Sequence, residues 1–259
     1  MNEITAVLAI ASRDVFKFLR DRGRIIATFI FPIVFIGILG GSLQSNLGRD
    51  VGYNFLTFTF IGVIGQTLFQ STASGIISLI EDRENDFSQE IFVSPISRYS
   101  IILGKILGES IVAFLQVLGI LVFGFLIGIH MSFAELTRLI PASIIVCLFG
   151  GAFGVLVLSN LSSQRLANQI FPFIIFPQFF LAGVFNPIKN LPVYLWVFSR
   201  IAPMTYAVDF VRGIFYVGKP EYAKIVLFNP LIDLAVMAGM FLVFITIGTY
   251  LFVKNEKNK

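Results

Sequence analysis

The stretch LAVMAGMFLVFITIGTYLFV, Leu234–Val253, runs for twenty residues without one charged side chain. A bilayer core about 30 Å thick is crossed by about 20 residues at a helical rise of about 1.5 Å each. A strand of a membrane barrel would alternate apolar and polar residues over about ten positions. Here the apolar run is continuous, and backbone groups in lipid find no water, so a helix is the remaining solution. Working outward from it, the last span covers Leu231–Val253. Five more apolar runs precede it, at Ile25–Leu43, Phe55–Ile80, Ile106–Ile129, Leu139–Leu161 and Ile170–Phe185. The last of these is the shortest and needs flanking residues to cross. With 56% hydrophobic and 13% charged residues, a water-soluble fold of this size could not hide so much apolar surface. The expectation is an all-α polytopic membrane protein, one transmembrane domain over 1–259 with six transmembrane helices.

Charge gives the orientation. With the N-terminus in the cytoplasm, twelve of the nineteen Lys and Arg lie inside: five before the first span, three in 81–105, Arg165, and three in the tail. The positive-inside rule then predicts both termini in the cytoplasm of a cell membrane, and it explains a net charge of +4 without nucleic acid. The first span follows several charges and has no small-residue cleavage site after it, which predicts an uncleaved helix.

Three segments outside the spans carry a pattern. In 1–24, Ile4, Val7, Leu8, Ala11, Val15, Phe18 and Leu19 recur at helical spacing, with Arg13, Asp14, Lys17 and Arg20 on or near the other face. That is the pattern of a helix lying in the membrane interface; the plainer reading is a basic flank that only sets topology. In 81–105, Glu81, Asp82, Arg83, Glu84, Asp86 and Glu90 fall within ten residues, too many charges to leave in hydrocarbon. Phe87 and Ile91 after them give a short helix one apolar face, suited to docking another protein or to resting on lipid. In 186–230, Pro187, Pro192 and Pro203 divide short apolar pieces, read as external helices dipping into the outer interface. Tyr194, Trp196, Tyr206 and Tyr216 are expected in its aromatic belt, and Asp209 and Arg212, three apart, to pair. Pro172, Pro177 and Gly183 interrupt the fifth span, which favours packing against protein.

Catalytic constellations are poor. His130 is the lone histidine and Cys147 the lone cysteine, so neither a metal set nor an intrachain disulfide is available. The G-x-S-x-G, H-E-x-x-H and G-x-x-x-x-G-K-[ST] patterns are missing, so an enzyme or an ATPase in its own right is not expected. On the second span Gln66, Gln70, Ser74 and Ser78 recur every four residues, with Thr67 and Ser71 beside them. Such a stripe faces a translocation path or hydrogen-bonds a neighbouring helix, and the spacing does not separate the two. Lys105 and Glu109 sit at one end of the third span and Asp233 at the far end of the sixth. With no ionisable residue near the middle, energy for uphill transport would have to come from outside the chain. G-x-x-x-G pairs at Gly37/Gly41, Gly104/Gly108, Gly124/Gly128 and Gly150/Gly154 allow close helix approach.

Two segments carry a family resemblance over this frame. EDRENDFSQEIFVSPISRYSIILGK, Glu81–Lys105, resembles the cytoplasmic loop of type-2 ATP-binding-cassette export permeases, with its charged cluster, short helix, S-P-[IV]-S and G-K. FPQFFLAGVFNPIKNLPVYLWVFSRIAPMTYAVDFVRGIFY, Phe176–Tyr216, resembles that family's fifth span and external region, ending in P-M-T-Y-A-V-D-x-x-R. Asn85 and Asp86 stand where the family commonly has Gly and Thr, and Ala202 replaces a frequent polar residue. The resemblance implies a permease subunit that dimerises and docks a separate ATP-binding-cassette ATPase subunit, with ATP and Mg on that partner and no cofactor on this chain. Glu84, Asp86, Phe87, Gln89, Glu90, Phe92 and Val93 would form the cytoplasmic coupling helix that docks the ATPase, braced by the interfacial helix. Gln66, Gln70 and Ser74 on the second span and Gln178 on the fifth would line the path. The cargo implied is amphipathic, such as a drug, lipid, peptide or lipid-linked glycan. The alternative is a nucleotide-independent channel or scramblase-like membrane protein.

Overall fold

A computed structural model describes residues 3–47, 52–84, 97–158, 161, 163–189 and 191–257. The described residues form helices joined by turns and short irregular connections, without strands. Helix α1 (Glu3–Arg20) is followed by α2 (Arg22–Val34), a π-helical turn (Phe35–Gly40) and α3 (Gly41–Leu47). Asp21 starts α2 by accepting the Arg24 N–H at 2.9 Å, the usual N-cap arrangement. Next come α4 (Phe55–Gly75), α5 (Ile77–Glu84), α6 (Arg98–Leu126), α7 (Phe133–Leu158) and α8 (Gln164–Leu181). Short helices α9 (Val193–Ile201), α10 (Pro203–Phe215) and α11 (Tyr222–Ile225) lead to α12 (Pro230–Lys257).

Among the described residues, five segments are long and apolar enough to cross a membrane: Arg22–Asn46, Phe55–Asp82, Tyr99–Leu126, Phe133–Leu158 and Tyr222–Leu251. The expected fifth span falls in α8, which falls short of that apolarity because Gln164, Arg165, Asn168, Gln169 and Gln178 dilute it. Pro172 and Pro177 lie inside α8 without ending it; the chain turns after Leu181, where Gly183 has φ of 69°. That conformation suits glycine and closes the helix.

The bundle is organised around α4, whose span is 78% buried against 17% for the first span. Gly150 and Gly154 of α7 let it lie on α4: a Cβ at Gly154 would come within 2.9 Å of the Ala73 Cα. Gly104 and Gly108 of α6 serve α1 in the same way, since a Cβ at Gly108 would sit 3.0 Å from the Ala11 Cα. The Gly37/Gly41 pair makes no such approach, with open space beside Gly41. Helix α10 is buried along nearly its whole length against α4, α7 and α12.

Two sequence expectations change here. Tyr194 and Trp196 are exposed, but Tyr206 and Tyr216 are buried, because α10 lies inside the bundle rather than on it. Asp209 and Arg212 do not pair. Asp209 accepts the backbone N–H groups of Leu227 and Phe228 at 2.8–3.0 Å. Arg212 donates to the carbonyls of Phe58 and Val184 at 3.3 and 3.0 Å, with its guanidinium 3.7 Å above the Phe58 ring. Buried backbone groups that need partners take both side chains.

Candidate functional site

A cavity of about 270 Å³ opens between α2, α4 and α6, toward the end of the bundle that carries α1. Gln66, Thr67, Gln70, Ser71 and Ser74 of α4 form one wall, Arg24, Ala27, Thr28, Phe31 and Pro32 of α2 face them, and Gln116 of α6 closes the set. Residues four apart share one helical face, which is why Gln66, Gln70 and Ser74 come together. Gln66 Nε2 donates to Gln70 Oε1 at 2.8 Å, and Ser74 Oγ donates to the Ser71 carbonyl at 3.1 Å. Gln178 is elsewhere. Its Nε2 donates to the Ile174 carbonyl at 3.1 Å and its Oε1 accepts the Met204 N–H at 3.2 Å, tying α8 to the start of α10.

Beyond the cavity lies a network of charges that the sequence did not disclose. Arg13 holds Asp82 with both nitrogens, at 2.6 and 3.1 Å, and Lys17 meets Glu81 at 2.7 Å. Lys105 Nζ donates to Asp14 at 3.0 Å, Asp82 at 2.7 Å and Ser78 at 3.0 Å, using all three of its donors. Arg24 reaches Glu109 at 3.3 Å. Lys105, Asp14, Asp82 and Glu109 are all buried, so the network fastens α1 to α5 and α6 out of water. Burial lifts the Asp14 carboxyl above the ordinary aspartate range while Lys105 pulls it back, and the bond to Asp82 raises Arg13 further. The sequence pattern predicts Arg13, Asp14 and Lys17 on the polar face of a helix lying in the membrane interface. Their partners on α5 and α6 hold them instead, while Ile4, Leu8, Phe16 and Leu19 remain exposed.

Of the predicted docking residues, Glu84 is exposed and accepts the Gln164 N–H at 3.2 Å, at the N-terminus of α8, where a carboxylate is favoured. Asp86, Phe87, Gln89, Glu90, Phe92 and Val93 lie outside the described residues. Arg24, Thr28 and Gln116 were not singled out for the cavity. Arg24 and Thr28 are four apart and followed by Phe31 and Pro32, a one-face pattern the sequence did contain. Among the described residues, no three His, Cys, Asp or Glu side chains converge to hold a metal ion.

Residues 5–216 match the family model described as ABC-2 type transporter. The chain belongs to that family. Similar proteins include a putative transport permease ycf38 of Cyanophora paradoxa, 24% identical over 74% of this chain and 67% of the relative. The probable multidrug ABC transporter permease YbhR of Escherichia coli (strain K12) is 29% identical over 54% of this chain, which spans only 38% of that relative. Nodulation protein J of Rhizobium meliloti (strain 1021) is 24% identical over 73% of this chain and 72% of the relative. The protein is thus a multi-pass membrane permease of the ABC transporter class. Members of the family are transmembrane components rather than ATPases, and generally pair with an ATP-binding-cassette subunit.

Proposed function

We propose that this permease is the membrane half of an ATP-driven exporter, working as two copies with two separate ATP-binding subunits in the cell membrane. Both termini face the cytoplasm, and the 81–105 segment, with Glu84, Asp86, Phe87, Gln89, Glu90, Phe92 and Val93, docks the ATPase, where ATP and Mg are held. Helix α8 completes six spans. The observation that carries the reading is the polar cavity on Gln66, Gln70 and Ser74 inside a bundle of the ABC-2 type transporter family. Uncharged polar groups at membrane depth meet protein or a water-filled path, and here they meet a cavity. The cargo is amphipathic and enters from the cytoplasmic leaflet. Gln178 serves this reading as a positioning residue, since it joins α8 to α10 rather than facing the cavity.

Closure of the ATPase pair pushes on the docking segment. Glu84 bonded to the start of α8, and the ion pairs joining α5, α1 and α6, pass that push to the helices around the cavity. The test is purification of the tagged protein from native membranes in mild detergent, with identification of the accompanying chains and an ATPase assay. A stoichiometric ATP-binding subunit, released by Phe92→Ala or Glu90→Ala without loss of folded permease, is the expected result. A permease that stays alone after crosslinking in intact cells would contradict it and favour a nucleotide-independent channel or scramblase.

A further inference from the structure

Among the described residues that line the cavity, Arg24 is the one with a formal charge. Its contact with Glu109 is a single long one, at 3.3 Å, and its side chain remains 34% exposed. A guanidinium has five N–H donors in a fixed fork, so most of Arg24's are left for the cavity. On the facing helix α4, toward the Pro32 end of the cavity, Gln66 is 2% exposed and its Oε1 has no hydrogen-bond partner, although its Nε2 is used. A buried acceptor left unpaired is costly and marks a place where a ligand or water completes the site.

Depth and size narrow the ligand. From Arg24 to Pro32 the lining extends eight residues along α2, about 12 Å at the helical rise. The polar wall therefore reaches below the headgroup level, where polar groups are tolerated only around a polar content. A volume of about 270 Å³ equals roughly nine waters at about 30 Å³ each, enough for a compact polar head.

From these observations we infer that the cavity takes the anionic head of an amphiphile, with Arg24 as counter-charge and Gln66, Gln70 and Ser74 as hydrogen-bonding wall, while the tail stays in lipid. This rests on the reading of the cavity as part of the transport path. Arg is the side chain suited to phosphate- or carboxylate-bearing heads because its fork binds two oxygens at once.

The test measures binding of three probes with the same tail to the purified permease and its ATPase partner in zwitterionic nanodiscs. They are dodecyl phosphate, dodecylphosphocholine and dodecyltrimethylammonium. Dodecyl phosphate is expected to bind about tenfold or more tightly than the other two, the effect of one charge-assisted pair. Arg24→Gln should erase that preference, Arg24→Lys should keep part of it, and Gln66→Leu should weaken all three probes. A large excess of inorganic phosphate should leave dodecyl phosphate bound; displacement by phosphate alone would show a free-anion site and overturn the inference. Equal binding of the three probes, lost in Gln66→Leu, would overturn the charge selection and leave the path reading standing. Probe binding indifferent to both Arg24→Gln and Gln66→Leu would remove the path reading itself.

Discussion

At the α1 end, Arg13, Lys17, Arg24 and Lys105 each meet a carboxylate on another helix. At the α10 end, Asp209 and Arg212 meet backbone amides and carbonyls instead. Side-chain pairs between separate helices can exchange partners when the helices slide, because each long side chain can reach more than one opposite charge. The Arg212 guanidinium is bonded instead to the carbonyls of Phe58 and Val184, which the backbone itself holds in place. The first end thus suits a region that transmits motion, and the second a region that holds α4, α8 and α10 in register while the rest moves.

The comparison can be broken most severely at the fixed end. Arg212→Ala leaves two backbone carbonyls without their charged donor and opens a cavity beside Phe58. It is expected to cost about 3–5 kcal/mol, read as loss of folded protein in a thermal melt monitored by size exclusion. Lys105→Met should cost somewhat less, about 2–3 kcal/mol, because Arg13 remains to serve Asp82. Adding Asp14→Asn should restore part of it, and a double-mutant cycle should give a coupling of about 1–3 kcal/mol. Equal losses in both single variants, with no rescue, would erase the distinction between the ends.

Gly108→Leu probes the seat of α1 on α6, where a Cβ already meets the Ala11 Cα at 3.0 Å. A cost of about 1–3 kcal/mol is expected, together with faster proteolysis within α1. Smaller still is Lys17→Gln, which removes an exposed pair to Glu81 and should change stability by less than about 1 kcal/mol. Asp233→Asn sharpens the comparison from the other side. Asp233 is wholly buried beside Asp209, so removing one of two adjacent carboxyls should leave stability unchanged or raise it. A marked loss there would mean that the carboxylate is needed as such.

The apolar runs made the spans legible, because a membrane imposes length and continuity on each segment separately. The four-residue spacing of Gln66, Gln70 and Ser74 likewise foretold a shared face. Partners far apart in sequence left no such trace. Asp14 and Lys105 lie 91 residues apart, and no local period links them, so Asp14 read as one more surface charge. Local spacing also misled: Asp209 and Arg212 stand one helical turn apart, but unpaired backbone at Leu227, Phe228 and Val184 competes for them and prevails. Gln178 was legible as polar and buried, yet its partner Met204 N–H lies across a chain reversal. Prolines weighed as breaks in the fifth span are absorbed within α8.

Hydrogen exchange on the permease with the ATP-binding subunit proposed as its partner, in nanodiscs with and without ATP, tests the account most directly. Exchange follows local opening of backbone hydrogen bonds. The account predicts that ATP alters protection in α1 and α5 and around the start of α6, while α10 remains protected and unchanged. A change concentrated in α10, with α1 and α5 indifferent to nucleotide, would contradict it.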